Sequence, residues 1–116
     1  SISKKNVLRG FHGDSKTWKL VSCIHGSFDL FVVNYDKLSK QYFKTAKFNL
    51  TDKKYVQILI PPKFGNAHLV KSDKAIFHYK QTTYYNRKGQ FTIKWNDPRL
   101  KIKWNIKKPI LSERDK

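Results

Sequence analysis

The stretch WKLVSCIHGSFDLFVV, residues 18–33, decides the fold class. It contains two runs rich in Val, Ile, Leu and Phe, Trp18–Ile24 and Phe28–Val33, with the turn signal His25-Gly26 between them. Short apolar runs that contain β-branched and aromatic residues and are bounded by turn residues are typical of strands. Residues 18–33 therefore predict two β-strands joined by a turn.

Similar short runs recur along the chain, separated by Gly, Pro, Asn and Asp, and no segment keeps a helical apolar period of 3.6 residues for three turns. Eight short strands at this spacing predict an all-β fold built as a double-sheet sandwich or small barrel. The predicted strands are Val7–Leu8, Trp18–Ile24, Phe28–Val33, Lys44–Leu50, Tyr55–Leu59, Ala67–Val70, Ala75–Lys80 and Phe91–Trp95.

Two patterns indicate what faces the interior. Because side chains alternate along a strand, Tyr79 shares a face with Ala75 and Phe77, and a tyrosine at the mouth of a barrel needs a partner for its hydroxyl, which a ligand can be. The final segment, residues 97–116, is predicted to be extended and to pack along the sandwich. The side chains expected to pack there are Ile102, Trp104 and Ile106.

Length and composition restrict the class of protein. A chain of 116 residues is expected to form one domain, residues 1–116, with one core. Cys23 is the only cysteine, which excludes an intramolecular disulfide and predicts a buried strand thiol. No apolar run approaches the ~18 residues of a membrane helix, and no secretory signal is visible. A cytoplasmic protein is therefore predicted.

The chain is strongly basic, with 25 Lys and Arg against 8 Asp and Glu and a formal net charge of +17. Basic proteins often bind nucleic acid, with steeply salt-dependent affinity. Here the lysines are scattered over nearly every segment, and no helix-turn-helix or zinc-ligand spacing occurs. The charge therefore favours a small polyanionic ligand, such as a nucleotide diphosphate, over nucleic acid.

A candidate site lies at Arg9-Gly10-Phe11-His12-Gly13, with Lys19 shortly after it. An imidazole takes a proton near neutral pH, and neighbouring cations stabilise a phosphate or an oxyanion. From these residues alone, a turn histidine beside ordinary surface cations explains the pattern slightly better.

Six motifs occur in an order that resembles the dTDP-4-dehydrorhamnose 3,5-epimerase family of cupins. They are Arg9–His12, Lys19–Val21, Ile60–Phe64, Tyr79–Tyr85, Trp95–Pro98 and Pro109–Asp115. Within the resemblance, residues 12–19 and 61–68 are more similar to epimerases that act on GDP-linked 4-keto-6-deoxy-heptoses. The resemblance implies a cupin-type jelly roll and an isomerase that uses no cofactor.

The resemblance also implies a reaction, namely epimerisation at C3, at C5 or at both carbons of a nucleotide-linked 4-keto-6-deoxy sugar, as in bacterial surface polysaccharide or deoxysugar biosynthesis. A base removes a proton next to the C4 ketone, and an acid returns one from the opposite face. Two alternatives stay open: a non-catalytic cupin that binds nucleotide sugars, and a basic nucleic-acid-binding protein.

By the same resemblance, His12 is the base and Asp115 the carboxylate that orients it. Lys19 stabilises the enolate oxygen, and Tyr79 is the acid on the far face. Arg9 holds the diphosphate.

The other implied contacts are with the nucleotide and the sugar. Tyr85 and Arg114 contact the nucleotide or its phosphates. Asn66 and His68 stand where the family more often has Ala-His-Gly, which suggests an altered sugar pocket or a different strand packing.

Two further expectations concern metal and assembly. The chain has no His-x-His pair and four dispersed histidines, so no metal site is predicted. The family usually carries a longer segment before the Arg-Gly-x-His motif, and only eight residues precede Arg9. A domain without this N-terminal segment would leave a sheet edge exposed, which predicts a homodimer.

Overall fold

The computed structural model of the chain describes residues 1–84 and 87–116. Its strands are β1 (Ile2–Lys4), β2 (Leu8–Gly13), β3 (Lys19–His25), β4 (Ser27–Asn34), β5 (Thr45–Thr51), β6 (Ile58–Ile60), β7 (Phe64–Val70), β8 (Lys74–Gln81) and β9 (Phe91–Thr92). Three single-turn 3₁₀ helices cover Arg87–Gly89, Pro98–Leu100 and Glu113–Asp115. Within the described ranges, no helix has the length and apolar character needed to cross a membrane.

The strands form two antiparallel sheets. One sheet has the order β1-β8-β3-β6 and the other has the order β5-β4-β7-β2-β9. The predicted strands on either side of His25-Gly26 are both present, but β3 pairs with β6 and β8 while β4 pairs with β5 and β7. The turn at Gly26, where φ is 76°, therefore carries the chain from one sheet to the other. The all-β, double-sheet jelly roll predicted from the sequence is confirmed.

The predicted strand bounds differ from the observed ones in several places. The strand predicted at residues 55–59 is Ile58–Ile60, and Tyr55 is fully exposed. The strand predicted at residues 91–95 ends at Thr92, and the one predicted at residues 7–8 continues through the supposed turn to Gly13. Strand β1 was missed because its sequence, ISK, carries no apolar run, and its pairing with β8 is what defines it.

Apolar side chains from both sheets fill the interior between them. The cluster contains Val7, Val21, Phe28, Leu30, Leu50, Ile60, Val70, Ala75 and Phe77. Cys23, predicted to be a buried strand thiol, lies on β3 and packs at the margin of this cluster, where it is half-buried. Burial raises the pKa of this thiol, which keeps it protonated.

A second apolar cluster covers the other face of the five-stranded sheet. It consists of Leu8, Phe11, Phe31, Val33, Ala67, Leu69, Ile93 and Leu100. The extended C-terminal segment packs on it through Ile102, Trp104 and Ile106, as predicted. This segment crosses the outer face and then reaches Asp115, which is buried.

Candidate active site

A register irregularity in β2 places two functional side chains on one face. Arg9 lies opposite His68 and His12 lies opposite Asn66 on β7, with a shift in register between Arg9 and His12. Residues three apart in a regular strand would face opposite sides, so the shift is what brings both to the inner face. Gly10 makes the shift possible, since its φ is 118° and a Cβ there would lie 2.5 Å from the Asn66 carbonyl oxygen.

His12 forms a short hydrogen bond with the side-chain carboxylate of Asp115, the partner predicted for it. Nε2 of His12 lies 2.6 Å from Oδ1 of Asp115, and the Asp115 side chain is 1% exposed. The other carboxylate oxygen, Oδ2, accepts hydrogen bonds from the Gly10 N–H at 3.2 Å and from the Ser112 hydroxyl at 3.1 Å. The carboxylate of Asp115 is therefore buried and held in place by three hydrogen bonds, although the residue lies near the C-terminus.

Hydrogen bonding also sets the ionisation state of this carboxyl group. Burial on its own would raise the pKa of Asp115, but hydrogen bonds from His12, the Gly10 N–H and Ser112 outweigh burial and leave the pKa lowered. Asp115 is thus ionised at neutral pH. An ionised partner at Nε2 leaves the lone pair of neutral His12 on Nδ1 and stabilises the imidazolium once it forms.

The facing sheet contributes a lysine and a tyrosine. Nζ of Lys19 on β3 lies 3.4 Å from Oδ1 of Asn66 and 5.9 Å from the centre of the Tyr79 ring on β8. Burial lowers the pKa of Lys19; nearby Asp14 opposes this shift and Arg114 adds to it. A cation held in a partly dry site interacts strongly with negative charge on a ligand.

The loop between β2 and β3 is ordered by one carboxylate. Asp14 accepts hydrogen bonds from the backbone N–H groups of Lys16 and Thr17 at 3.0 and 2.7 Å, and from the Gln90 side chain at 3.0 Å. These bonds close an Asx-type turn. The turn sets where β3 begins and hence where Lys19 enters the site.

These side chains surround a cavity of about 290 Å³ between the two sheets. Every predicted site residue within the described ranges lines it, namely Arg9, His12, Lys19, Asn66, His68, Tyr79, Arg114 and Asp115. Tyr85, also predicted to bind the nucleotide, lies outside the described residues.

Five further lining residues were missed from the sequence: Ser1, Phe77, Gln81, Gln90 and Ser112. Strand alternation could have found two of them, because Phe77 and Gln81 share a face of β8 with Tyr79. The Ser112-x-x-Asp115 spacing could have identified Ser112 as a partner of the carboxylate. Gln90 gives no local signal, because only its contact with Asp14 places it.

The described part of the chain, residues 1–84 and 87–116, holds no group of three or more His, Cys, Asp or Glu arranged to bind a metal ion. The polar groups of the cavity are instead one histidine–carboxylate pair, a second histidine, amides, two serines, a phenol and three basic side chains. This set suits proton transfer next to a carbonyl and the binding of an anionic ligand.

Comparison with known proteins gives a consistent result. The family model described as dTDP-4-dehydrorhamnose 3,5-epimerase matches residues 1–116. The Shigella flexneri protein of that name is 34% identical over 118 residues, covering 99% of this chain and 65% of the relative. The Escherichia coli K12 protein is 39% identical over 107 residues, covering 90% and 58% respectively.

Solved structures agree with the sequence relatives. An epimerase of the same name from Elizabethkingia anophelis superposes with a TM-score of 0.93 at 33% identity, covering 99% of this chain and 66% of that one. The Legionella pneumophila dTDP-6-deoxy-D-glucose-3,5-epimerase, solved in complex with dTDP-4-keto-L-rhamnose, gives 0.92 at 34% identity, covering 99% and 63%. The chain thus spans about two thirds of the length of these relatives. Because the family model matches its whole length, the chain belongs to the dTDP-4-dehydrorhamnose 3,5-epimerase family.

Proposed function

We propose that the protein inverts C3, C5 or both carbons of a nucleotide-linked 4-keto-6-deoxy sugar by removing and returning a proton next to the ketone. The observation that carries this proposal is the placement, across one cavity, of His12 on one sheet, hydrogen-bonded to the buried carboxylate of Asp115, and of Tyr79 on the facing sheet. A sugar ring between the sheets would present one face to His12 and the other to Tyr79.

In the first step, Nδ1 of His12 takes the proton from the carbon next to the ketone. The electron pair of the broken C–H bond forms a carbon–carbon double bond, and the charge moves to the C4 oxygen as an enolate. The ammonium group of Lys19 stabilises that oxygen, and Asp115 stabilises the imidazolium.

In the second step, the Tyr79 hydroxyl gives its proton to the same carbon from the opposite face, and the double-bond electrons form the new C–H bond. The configuration is thereby inverted. The phenolate then regains a proton from solvent, and His12 releases its proton to solvent, so the protein returns to its starting state without a cofactor.

The basic residues of the cavity support binding of the diphosphate. Arg9 carries a forked donor group suited to phosphate oxygens and lies on the same face as His12, and Arg114 also lines the cavity. We propose a dTDP-linked substrate, as expected for this family; Tyr85 and Arg114 would contact the nucleotide. A GDP-linked heptose is the alternative, suggested by residues 12–19 and 61–68.

Hydrogen exchange in deuterated water tests the proposal. The protein is incubated with dTDP- and GDP-linked 4-keto-6-deoxy sugars, and deuterium at C3 and C5 is followed by NMR. We expect exchange and inversion with the wild type, loss of both in His12→Ala, and exchange without inversion in Tyr79→Phe. His78→Ala, at an exposed histidine of β8, is the matched control and should behave as wild type.

Two results would contradict the proposal. Binding of the sugar nucleotides without any exchange would identify a non-catalytic binding protein. Salt-sensitive binding to DNA or RNA that does not depend on His12 would point to a nucleic-acid-binding function.

We also propose that residues 1–116 act as one domain and assemble as a homodimer through β5. This seven-residue strand lies at the edge of its sheet, and its positions 45–49 are exposed, including Phe48 at 36%. Exposed edge strands pair readily with another chain. Light scattering should give a dimer for the wild type and a monomer for Phe48→Lys; a wild-type monomer would contradict the proposal.

A further inference from the structure

His68 is the one described residue with a buried side-chain nitrogen or oxygen that lacks a hydrogen-bond partner. Its Nε2 is buried and unpaired, and the residue, which is 4% exposed, lines the cavity. Burying a polar atom without a partner is unfavourable, because the atom loses its hydrogen bonds to water and gains none in the protein. A position that tolerates this cost is a candidate for a ligand contact.

Aromatic packing fixes the ring of His68. The Phe77 ring stacks on it at 4.1 Å between centroids with an interplanar angle of 11°, and the Phe28 ring meets it edge to face at 5.5 Å. One face of the imidazole is therefore covered by the Phe77 ring, and the Phe28 contact further restricts its rotation. Its edge nitrogens remain as the atoms that can contact a ligand.

The imidazole stays neutral throughout the physiological range. Burial lowers the pKa of His68 to about 3, and the nearby positive charge of Arg9 adds to the shift. A neutral imidazole offers one N–H donor and one acceptor nitrogen. A hydroxyl group, which both donates and accepts, is the neutral ligand group that suits it, while the adjacent cations serve the phosphates.

The register of β2 and β7 places His68 relative to the proposed reaction. Asn66 lies opposite His12, where the proton is removed, and His68 lies opposite Arg9, which is assigned to the diphosphate. In the proposed substrate, C1 carries the diphosphate and C3 is a reacting carbon. The hydroxyl between them is the one on C2.

We propose that His68 is a specificity-determining residue that hydrogen-bonds the C2 hydroxyl of the sugar and selects sugars that bear it over their 2-deoxy counterparts. The proposal rests on the proposed function for the orientation of the sugar. It does not require that the reaction occur, because unreactive sugar nucleotides contain the same hydroxyl.

A two-by-two binding experiment tests this role. Calorimetry measures the affinity of wild type and His68→Phe for a dTDP-linked hexose and for its 2-deoxy analogue. A site built around a hydroxyl rejects an analogue that lacks it, so the wild type should bind the 2-deoxy ligand about tenfold more weakly. His68→Phe keeps a ring that stacks on Phe77 and should bind both ligands with equal affinity.

A second variant, His68→Gln, controls for the possibility that His68→Phe does not fold. His68→Gln retains a donor and an acceptor, so it should still bind the dTDP-linked hexose more tightly than the 2-deoxy analogue, although by a smaller factor than the wild type. The ratio of the two wild-type affinities should stay constant between pH 5 and 8, because the imidazole remains neutral. Equal discrimination in wild type and His68→Phe, or equal wild-type affinity for the two ligands, would overturn the proposal. Discrimination that depends on His68 in a protein that exchanges no deuterium would support this inference while contradicting the proposed epimerisation.

Discussion

The two faces of the five-stranded sheet differ in what they bury. The outer face carries only apolar side chains at its centre, such as Phe31 and Leu69, and the C-terminal segment covers it. The inner face is apolar at one end and polar at the other, where Arg9, His12 and His68 line the cavity. One sheet thus combines a continuous core on its outside with a binding site on its inside.

The chain connects these faces through its last residues. Trp104 packs on the outer face against Phe31, with ring centroids 4.6 Å apart, and the segment then reaches Asp115, which bonds to His12 on the inner face. Packing outside the sheet therefore positions a carboxylate inside the site. The following variants separate the two contributions, beginning with one that should damage both.

Gly10→Ala should have the largest effect. The new Cβ would lie 2.5 Å from the Asn66 carbonyl oxygen and 2.6 Å from Cα of Ala67, at a φ of 118°. Steric crowding and backbone strain each cost ~1–3 kcal/mol, so we expect a loss of about 4 kcal/mol in the free energy of unfolding, together with loss of epimerisation. Urea unfolding measures the first effect. Gly89→Ala, at an exposed glycine, is the control, and equal stability of the two variants would contradict the assigned role of Gly10.

Trp104→Ala should destabilise the fold by about 3 kcal/mol, near the lower limit for large aromatic residues because Trp104 is only partly buried. It removes ring contacts with Phe11, Phe31 and Trp95 and the hydrogen bond that Nε1 donates to the Trp95 carbonyl at 3.0 Å. Thermal unfolding measures the change. Trp18→Ala, at a tryptophan that is 45% exposed, should cost much less. Similar losses in both variants would show that the outer cover contributes little.

The outer face was the easier one to predict from the sequence. Alternation of Ile102, Trp104 and Ile106 with lysine and asparagine is a local signal, and the residues pack as that signal indicates. The strand runs in β3, β4, β5 and β8 were found for the same reason. These features depend on burial, which the apolar pattern records directly.

The inner face needed more than the local pattern. Nothing in the sequence alone indicates that Arg9 and His12 share a face, because this depends on a register shift within the β2–β7 ladder. The pairing of His12 with Asp115 joins residues 103 positions apart and came only from resemblance to the family. Local sequence carries little information about such contacts, since the topology of the whole sandwich creates them.

Asp115→Asn should lower the rate of exchange about 10²-fold, equivalent to about 2.7 kcal/mol, while the fold persists at neutral pH. The amide would no longer fix the imidazole tautomer or stabilise the imidazolium. Because the fold lowers the pKa of Asp115, the carboxylate stabilises the wild type above its ordinary pKa, and this contribution is lost as the pH falls through the lowered value. Wild type should therefore lose more stability than the variant between pH 6 and 2. A parallel loss in both proteins, measured by urea unfolding, would contradict this assignment.

Lys19→Arg should have the smallest effect and reports on charge at the inner face. The rate of deuterium exchange in the wild type should fall at high pH as Lys19 loses its proton. Because burial lowers the pKa of Lys19, this fall should begin below the ordinary lysine value of about 10.4. Arginine keeps its charge throughout this range. The exchange rate of the variant should therefore be about tenfold lower than that of the wild type, because the geometry is altered, but it should not fall at high pH. Lys16→Arg, at an exposed lysine of the preceding loop, should retain the wild-type profile. An unchanged alkaline fall in Lys19→Arg would assign it to another group and remove Lys19 from the stabilisation of the enolate.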